Sequence, residues 1–150
     1  MAKYLLVANQ TLGGEQLTVM LDELLEVGPC TLRLVVPVTD TEGSHQWDYP
    51  PVDRFVPDAH KVAKALSEGR LEHELARLRR AGAEVNGEVV DADPLERLRE
   101  LLRAENFDGV IVSTLPRRLS RWLITDFPHR IARSTRVPMT HVESDAGPSL

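Results

Sequence analysis

Six arginines, Arg117, Arg118, Arg121, Arg130, Arg133 and Arg136, crowd twenty residues that hold a single acid, Asp126. Three of them fall in the irregular, Arg-rich stretch 113–126, which opens on the hydroxyls of Ser113 and Thr114. Guanidinium groups present forked donors that match the paired oxygens of phosphate or carboxylate. The stretch therefore suits a small anionic ligand. The competing reading is a solvated basic loop, and the residues alone leave both open.

Other chemistry finds less support. Catalysis by a nucleophile needs an activating base beside it, and no G-x-S-x-G elbow or paired acid and base stands out. No catalytic residue is assigned. His45, Asp48, Asp53 and His60 match no metal-ligand spacing, so no metal site is expected. Gly13-Gly14 precedes a helical pattern but belongs to neither G-x-G-x-x-G nor the Walker motif; such glycines usually just let the chain turn. His45, Trp47 and Tyr49 lie in a polar segment that would serve as a lid or partner contact, or fold its aromatics onto the domain. Trp122 with Leu119, Leu123 and Ile124 reads as a partner contact or an anchor for its own loop. Cys30, the only cysteine, lacks a neighbouring base and reads as a buried structural thiol.

The elements that must position these groups form one domain. The chain has 150 residues, 42% hydrophobic and 27% charged, an ordinary globular balance. One cysteine excludes an internal disulfide and a Cys-rich zinc site. No signal-peptide pattern opens the chain and no apolar run approaches a membrane span, so a cytoplasmic protein without membrane contact is expected. The net charge of −5 is uneven: 9 acids and 3 bases over residues 1–60, 11 and 9 over 61–108, then 3 and 6 over 109–150. That balance argues against general nucleic-acid binding while leaving one local anion-attracting patch.

Five apolar runs predict strands at 4–8, 32–36, 83–90, 109–112 and 137–142. The first and fourth are nearly continuous, as in central strands of a parallel sheet covered on both faces. Leu17, Met20, Leu21, Leu24 and Leu25 predict a helix ended by Gly28-Pro29. Residues 58–81 predict one long helix with a weak point near Gly69, or two shorter ones, burying Val62, Ala65, Leu66, Leu71, Leu75 and Leu78. Asp93, Pro94 and Glu96 form a helix-start signal ahead of Leu95, Leu98, Leu101 and Leu102. A fourth helix is expected from about Thr125 to Ser134. Alternating strands and helices imply an α/β domain with a parallel sheet and right-handed crossovers. Both irregular segments follow strand carboxyl ends, where open α/β sheets bind ligands.

Four stretches, in order, resemble the universal stress protein family. They are Tyr4 to Thr11 (family pattern I-L-V-A-V-D-G-S), Gly87 to Pro94 (third strand and G-D-P helix start), Phe107 to Thr114 (A-D-L-I-V-V-G-S) and Arg136 to Val142 (C-P-V-L-V-V). The resemblance implies a single Rossmann-like domain, an open five-stranded parallel sheet in order 3-2-1-4-5 with helices on both faces. It also implies a homodimer through the last strand, Val137 to Val142, an apolar edge that tends to be covered.

Many members bind ATP through G-x2-G-x9-G-[S/T] after the fourth strand, where glycines let backbone amides approach phosphate. Here Ser113 and Pro116 stand in place of the first two glycines, and Thr125-Asp126 in place of the last pair, with one residue deleted. No glycine occurs between Gly109 and Gly147, and Asn9 replaces the acid expected at the end of the first strand. The expectation is a non-catalytic stress-response regulator or scaffold, lacking the standard ATP site and any required cofactor, acting through a protein partner or a small anionic ligand. The alternative is an ATP- or AMP-binding protein with an arginine-modified phosphate site, at most a slow ATPase. Asn9 and Val38 would then line the nucleoside, and Ser113, Thr114, Arg117, Arg118 and Thr125 the phosphates.

Overall fold

The computed structural model describes residues 1–38, 59–91, 94–116 and 127–148. Strand β1 (Ala2–Val7) leads to α1 (Glu15–Val27), β2 (Cys30–Pro37), α2 (Ala59–Arg80), β3 (Glu84–Val90), α3 (Pro94–Ala104), β4 (Gly109–Thr114), α4 (Phe127–Ser134) and β5 (Met139–Glu143). The strands form one sheet in the order β3-β2-β1-β4-β5, every neighbouring pair parallel.

The period of two along the strands assigns side chains to two cores. Leu6, Leu34 and Ile111 face Leu17 and Leu21 of α1 and Leu71 and Leu78 of α2. Leu5, Val7, Val35, Val110 and Val112 face Leu95, Leu98 and Leu101 of α3 and Ile131 of α4. Burial on both faces explains why β1 and β4 read as continuous apolar runs. Pro94 opens α3 as expected; Asp93, the cap expected before it, lies outside the described residues.

Helix α2 differs most from its sequence pattern. It runs unbroken through Gly69. Its buried stripe is Ala63, Ser67, Leu71, Glu74 and Leu78, whereas Val62 and Ala65, expected inside, are exposed. The stripe keeps helical spacing only when two polar residues are counted in it, so an apolar pattern alone shows a phase slip. Strand β5 runs to Glu143 rather than ending at Val142, and Val137 lies before it.

Candidate ligand crevice at the strand carboxyl ends

Strands β1 and β4 are adjacent, but the chain leaves them in opposite directions across the sheet. Such a reversal marks the usual position of a ligand crevice in open α/β sheets, beyond the carboxyl ends of the two strands. Four of the residues expected to form a site lie at or just beyond the carboxyl ends of three strands. Asn9 follows β1, Val38 follows β2, and Ser113 and Thr114 close β4. Arg117, Arg118 and Thr125 lie outside the described residues, as do Arg121, Trp122 and the His45 to Tyr49 segment.

Asn9 is 2% exposed, and its side chain is fully engaged. Its Nδ2 donates to the Pro37 carbonyl (2.7 Å) and to Ser67 Oγ (3.0 Å), and its Oδ1 accepts from Arg70 Nη1 (3.1 Å). Ser67 in turn donates to the Ala63 carbonyl (2.8 Å). Helix α2, through Ser67, and β2, through the Pro37 carbonyl, thus use the two amide hydrogens that a base or ribose would otherwise take. Val38 is half-buried and donates its backbone amide to the Val90 carbonyl (3.1 Å), extending the β2·β3 ladder by one bond.

The two hydroxyls of β4 point to opposite faces. Ser113 donates to Thr11 Oγ1 at 2.8 Å on the α1 side. Thr114 Oγ1 lies 2.7 Å from His141 Nε2 on β5. They do not converge on one position. An anion held by both hydroxyls would require at least one to turn.

Two groups escaped the sequence reading. Glu74, a charged residue of α2, is 2% exposed, accepts from Gly13 N (2.9 Å) and pairs with Arg77 Nε. Its signal was its place at helical spacing from Leu71 and Leu78. His141 is the other. Partial desolvation of its ring, in a residue that is otherwise exposed, holds its pKa below the ordinary value; nearby His129 lowers it further and Glu143 partly offsets the shift. The unfolded chain therefore binds the proton more readily over that interval, and stability rises with pH through it. This contribution is complete above about pH 6.5, the unfolded value, and is lost as pH falls toward the folded value. Melting curves from pH 5 to 7.5 should show a shallower pH dependence for His141→Gln than for the parent chain.

Between Leu12, Gly13, Arg70, His73, Glu74 and Pro148 lies a groove with room for about one water molecule. Cys30 is buried, donates weakly to the Leu24 and Gly28 carbonyls, and burial pushes its thiol pKa up, as expected of an inert structural cysteine. Among the described residues, no group of three His, Cys, Asp or Glu is placed to hold a metal ion. No helix among them is long and apolar enough to cross a membrane.

No family model matches the chain, and no curated protein sequence does. Solved structures do match over nearly its full length. One is a hypothetical protein whose biochemical function was assigned from its structure: 14% identity, TM-score 0.64, covering 95% of this chain and 96% of that one. A second is a universal stress protein family protein from Arabidopsis thaliana with AMP bound: 12% identity, TM-score 0.63, covering 97% and 94%. A third is the universal stress protein from Archaeoglobus fulgidus in complex with dAMP: 11% identity, TM-score 0.53, covering 95% and 98%. The chain therefore has the universal stress protein fold, the single α/β domain with sheet order 3-2-1-4-5 that the sequence resemblance implied.

Proposed function

We propose that this chain is a non-catalytic, cytoplasmic stress-response regulator or scaffold of the universal stress type that works without the standard ATP site. The observation that carries this reading is Asn9, buried at the nucleoside end of the crevice with its amide committed to Pro37, Ser67 and Arg70. The glycines that would cradle phosphate are also replaced, and proline at 116 removes a backbone donor. Calorimetric titration with ATP and AMP should give no binding heat at millimolar nucleotide. Micromolar binding overturns the reading.

The second reading is an adenine-nucleotide-binding protein with an arginine-modified phosphate site. It is favoured by solved structures of the same fold with AMP, cAMP or dAMP bound. It predicts micromolar AMP binding that disappears in the Arg117→Ala/Arg118→Ala double variant. Under either reading the functional unit is a homodimer. Among the described residues β5 pairs with β4 alone, and Thr140, His141 and Glu143 are exposed. Sedimentation at micromolar concentration should show twice the 16.8 kDa chain mass; a purely monomeric boundary rejects the dimer.

A further inference from the structure

Residues 144–148 follow β5 and cross the carboxyl ends of β4 and β1 to the start of α1. Ser144 N donates to the Thr114 carbonyl (2.9 Å), extending the β4·β5 ladder. Ser144 Oγ, buried, accepts from Leu17 N (3.2 Å). Asp145 N donates to Gln16 Oε1 (2.9 Å), and Gln16 Nε2 reaches the Asp145 carboxylate (3.4 Å). Gly147 N donates to the Gln10 carbonyl (2.8 Å). The approach is as close as the backbone allows. A Cβ on Gly147 would stand 1.7 Å from the Leu12 carbonyl oxygen, and one on Gly14 would stand 2.0 Å from that of Asp145.

These contacts bridge the two sides of the crevice, from Thr114 on β4 to Gln10 beyond β1. They also place the Asp145 carboxylate at the amino end of α1, where negative charge is favoured. Asp145, Ala146 and Pro148 are exposed, so the segment is held by hydrogen bonds with little apolar burial. Segments of that kind open at free energies well below global unfolding.

We infer that residues 144–148 are a strap that holds the crevice between β1 and β4 shut, and that an anionic ligand of the crevice competes with it. The competing ligand is of the adenine-nucleotide class, a point that rests on the second reading above; the strap itself does not. A nucleotide at this crevice meets a hydroxyl, a carboxylate and a backbone turn already in place, and its apparent affinity is reduced by the fraction of chains that are closed.

The test reads each end of the strap after the other end is changed. Amide hydrogen exchange is followed in the full chain at Leu17, Gly147 and the core residue Leu6, for the parent, Gly147→Val and Ser144→Ala. A strap that opens as a unit gives at least ten-fold faster exchange at Leu17 in Gly147→Val and at Gly147 in Ser144→Ala, with Leu6 unchanged. Ser144→Ala introduces no clash and carries the test should Gly147→Val fold poorly. Acceleration confined to the substituted end overturns the strap. AMP, titrated into the same three chains, should bind at least ten-fold more tightly to the two variants. Equal affinity for all three overturns the competition. Accelerated exchange with no AMP binding to any chain removes the nucleotide reading and supports the strap as a closed feature of the fold.

Discussion

Glu74→Ala is expected to cost about 2–4 kcal/mol of folding stability, a large share of the 5–15 kcal/mol typical of a domain. The carboxylate is buried beneath α2 and holds two donors. Its loss leaves Gly13 N without its acceptor and the Arg77 guanidinium with Asp22 (3.1 Å) as its remaining acid. Among the described residues Arg77 Nη2 already lacks a partner, so the charge has no spare acceptor to turn to. Breaking a fully buried pair costs about 3–5 kcal/mol. The lower range applies here because the Arg77 side chain is a quarter exposed and keeps Asp22. For a chain of this length the melting temperature should fall by about 4–16 °C. Glu74→Gln retains an acceptor for Gly13 and should lose distinctly less. Thermal and urea unfolding of both variants check the ranking. A Glu74→Ala chain as stable as the parent would show that Gly13 and Arg77 find water instead.

Asn9→Asp carries the second large effect, about 1–3 kcal/mol of destabilisation. The substitution restores the acid that the family pattern has at this position, yet it removes both amide donors. An anionic oxygen would then face the Pro37 carbonyl at a distance now spanned by a 2.7 Å hydrogen bond. Ser67 cannot repair the loss without giving up Ala63. Arg70 stays close to the new charge and offsets part of the cost. Unfolding by urea should show a lower midpoint with an unchanged slope. A gain in stability, or micromolar ATP binding by Asn9→Asp, would mean that α2 yields this space to a nucleoside and would count against the proposed function.

Much of the architecture lies in local patterns. The continuous runs of β1 and β4, the stripe Leu17, Leu21, Leu24 of α1 and the Pro94 start of α3 each involve residues within a few positions of one another. The steric and hydrophobic rules that read them act over that range. The same locality explains the errors. Val62 and Ala65 sit where an apolar face should be, but the helix rotates to bury Ser67 and Glu74, each of which has one partner beyond α2, Asn9 and Gly13 respectively. The order of the family-like stretches carried the sheet topology. Of the seven candidate residues, Asn9 and Val38 follow β1 and β2, while Ser113 and Thr114, expected to open the segment after a strand ending at 112, are the last two, buried residues of β4 because they continue its ladder with β5; the other three lie outside the described residues.

The sequence by itself determined an acidic, single-cysteine α/β domain with alternating strands and helices, because strand and helix periods are written into neighbouring residues. Only the tertiary structure decided what the crevice residues do. Asn9 is saturated by groups 28, 58 and 61 positions away. Ser113 spends its hydroxyl on Thr11, 102 positions away, and Ser144 caps Leu17 from a distance of 127. Hydrogen bonds at such separations leave no periodic trace in the chain. They form because the parallel crossovers bring the ends of β1, β2, β4 and β5 to one side of the sheet, where polar groups must find partners among themselves once water is excluded.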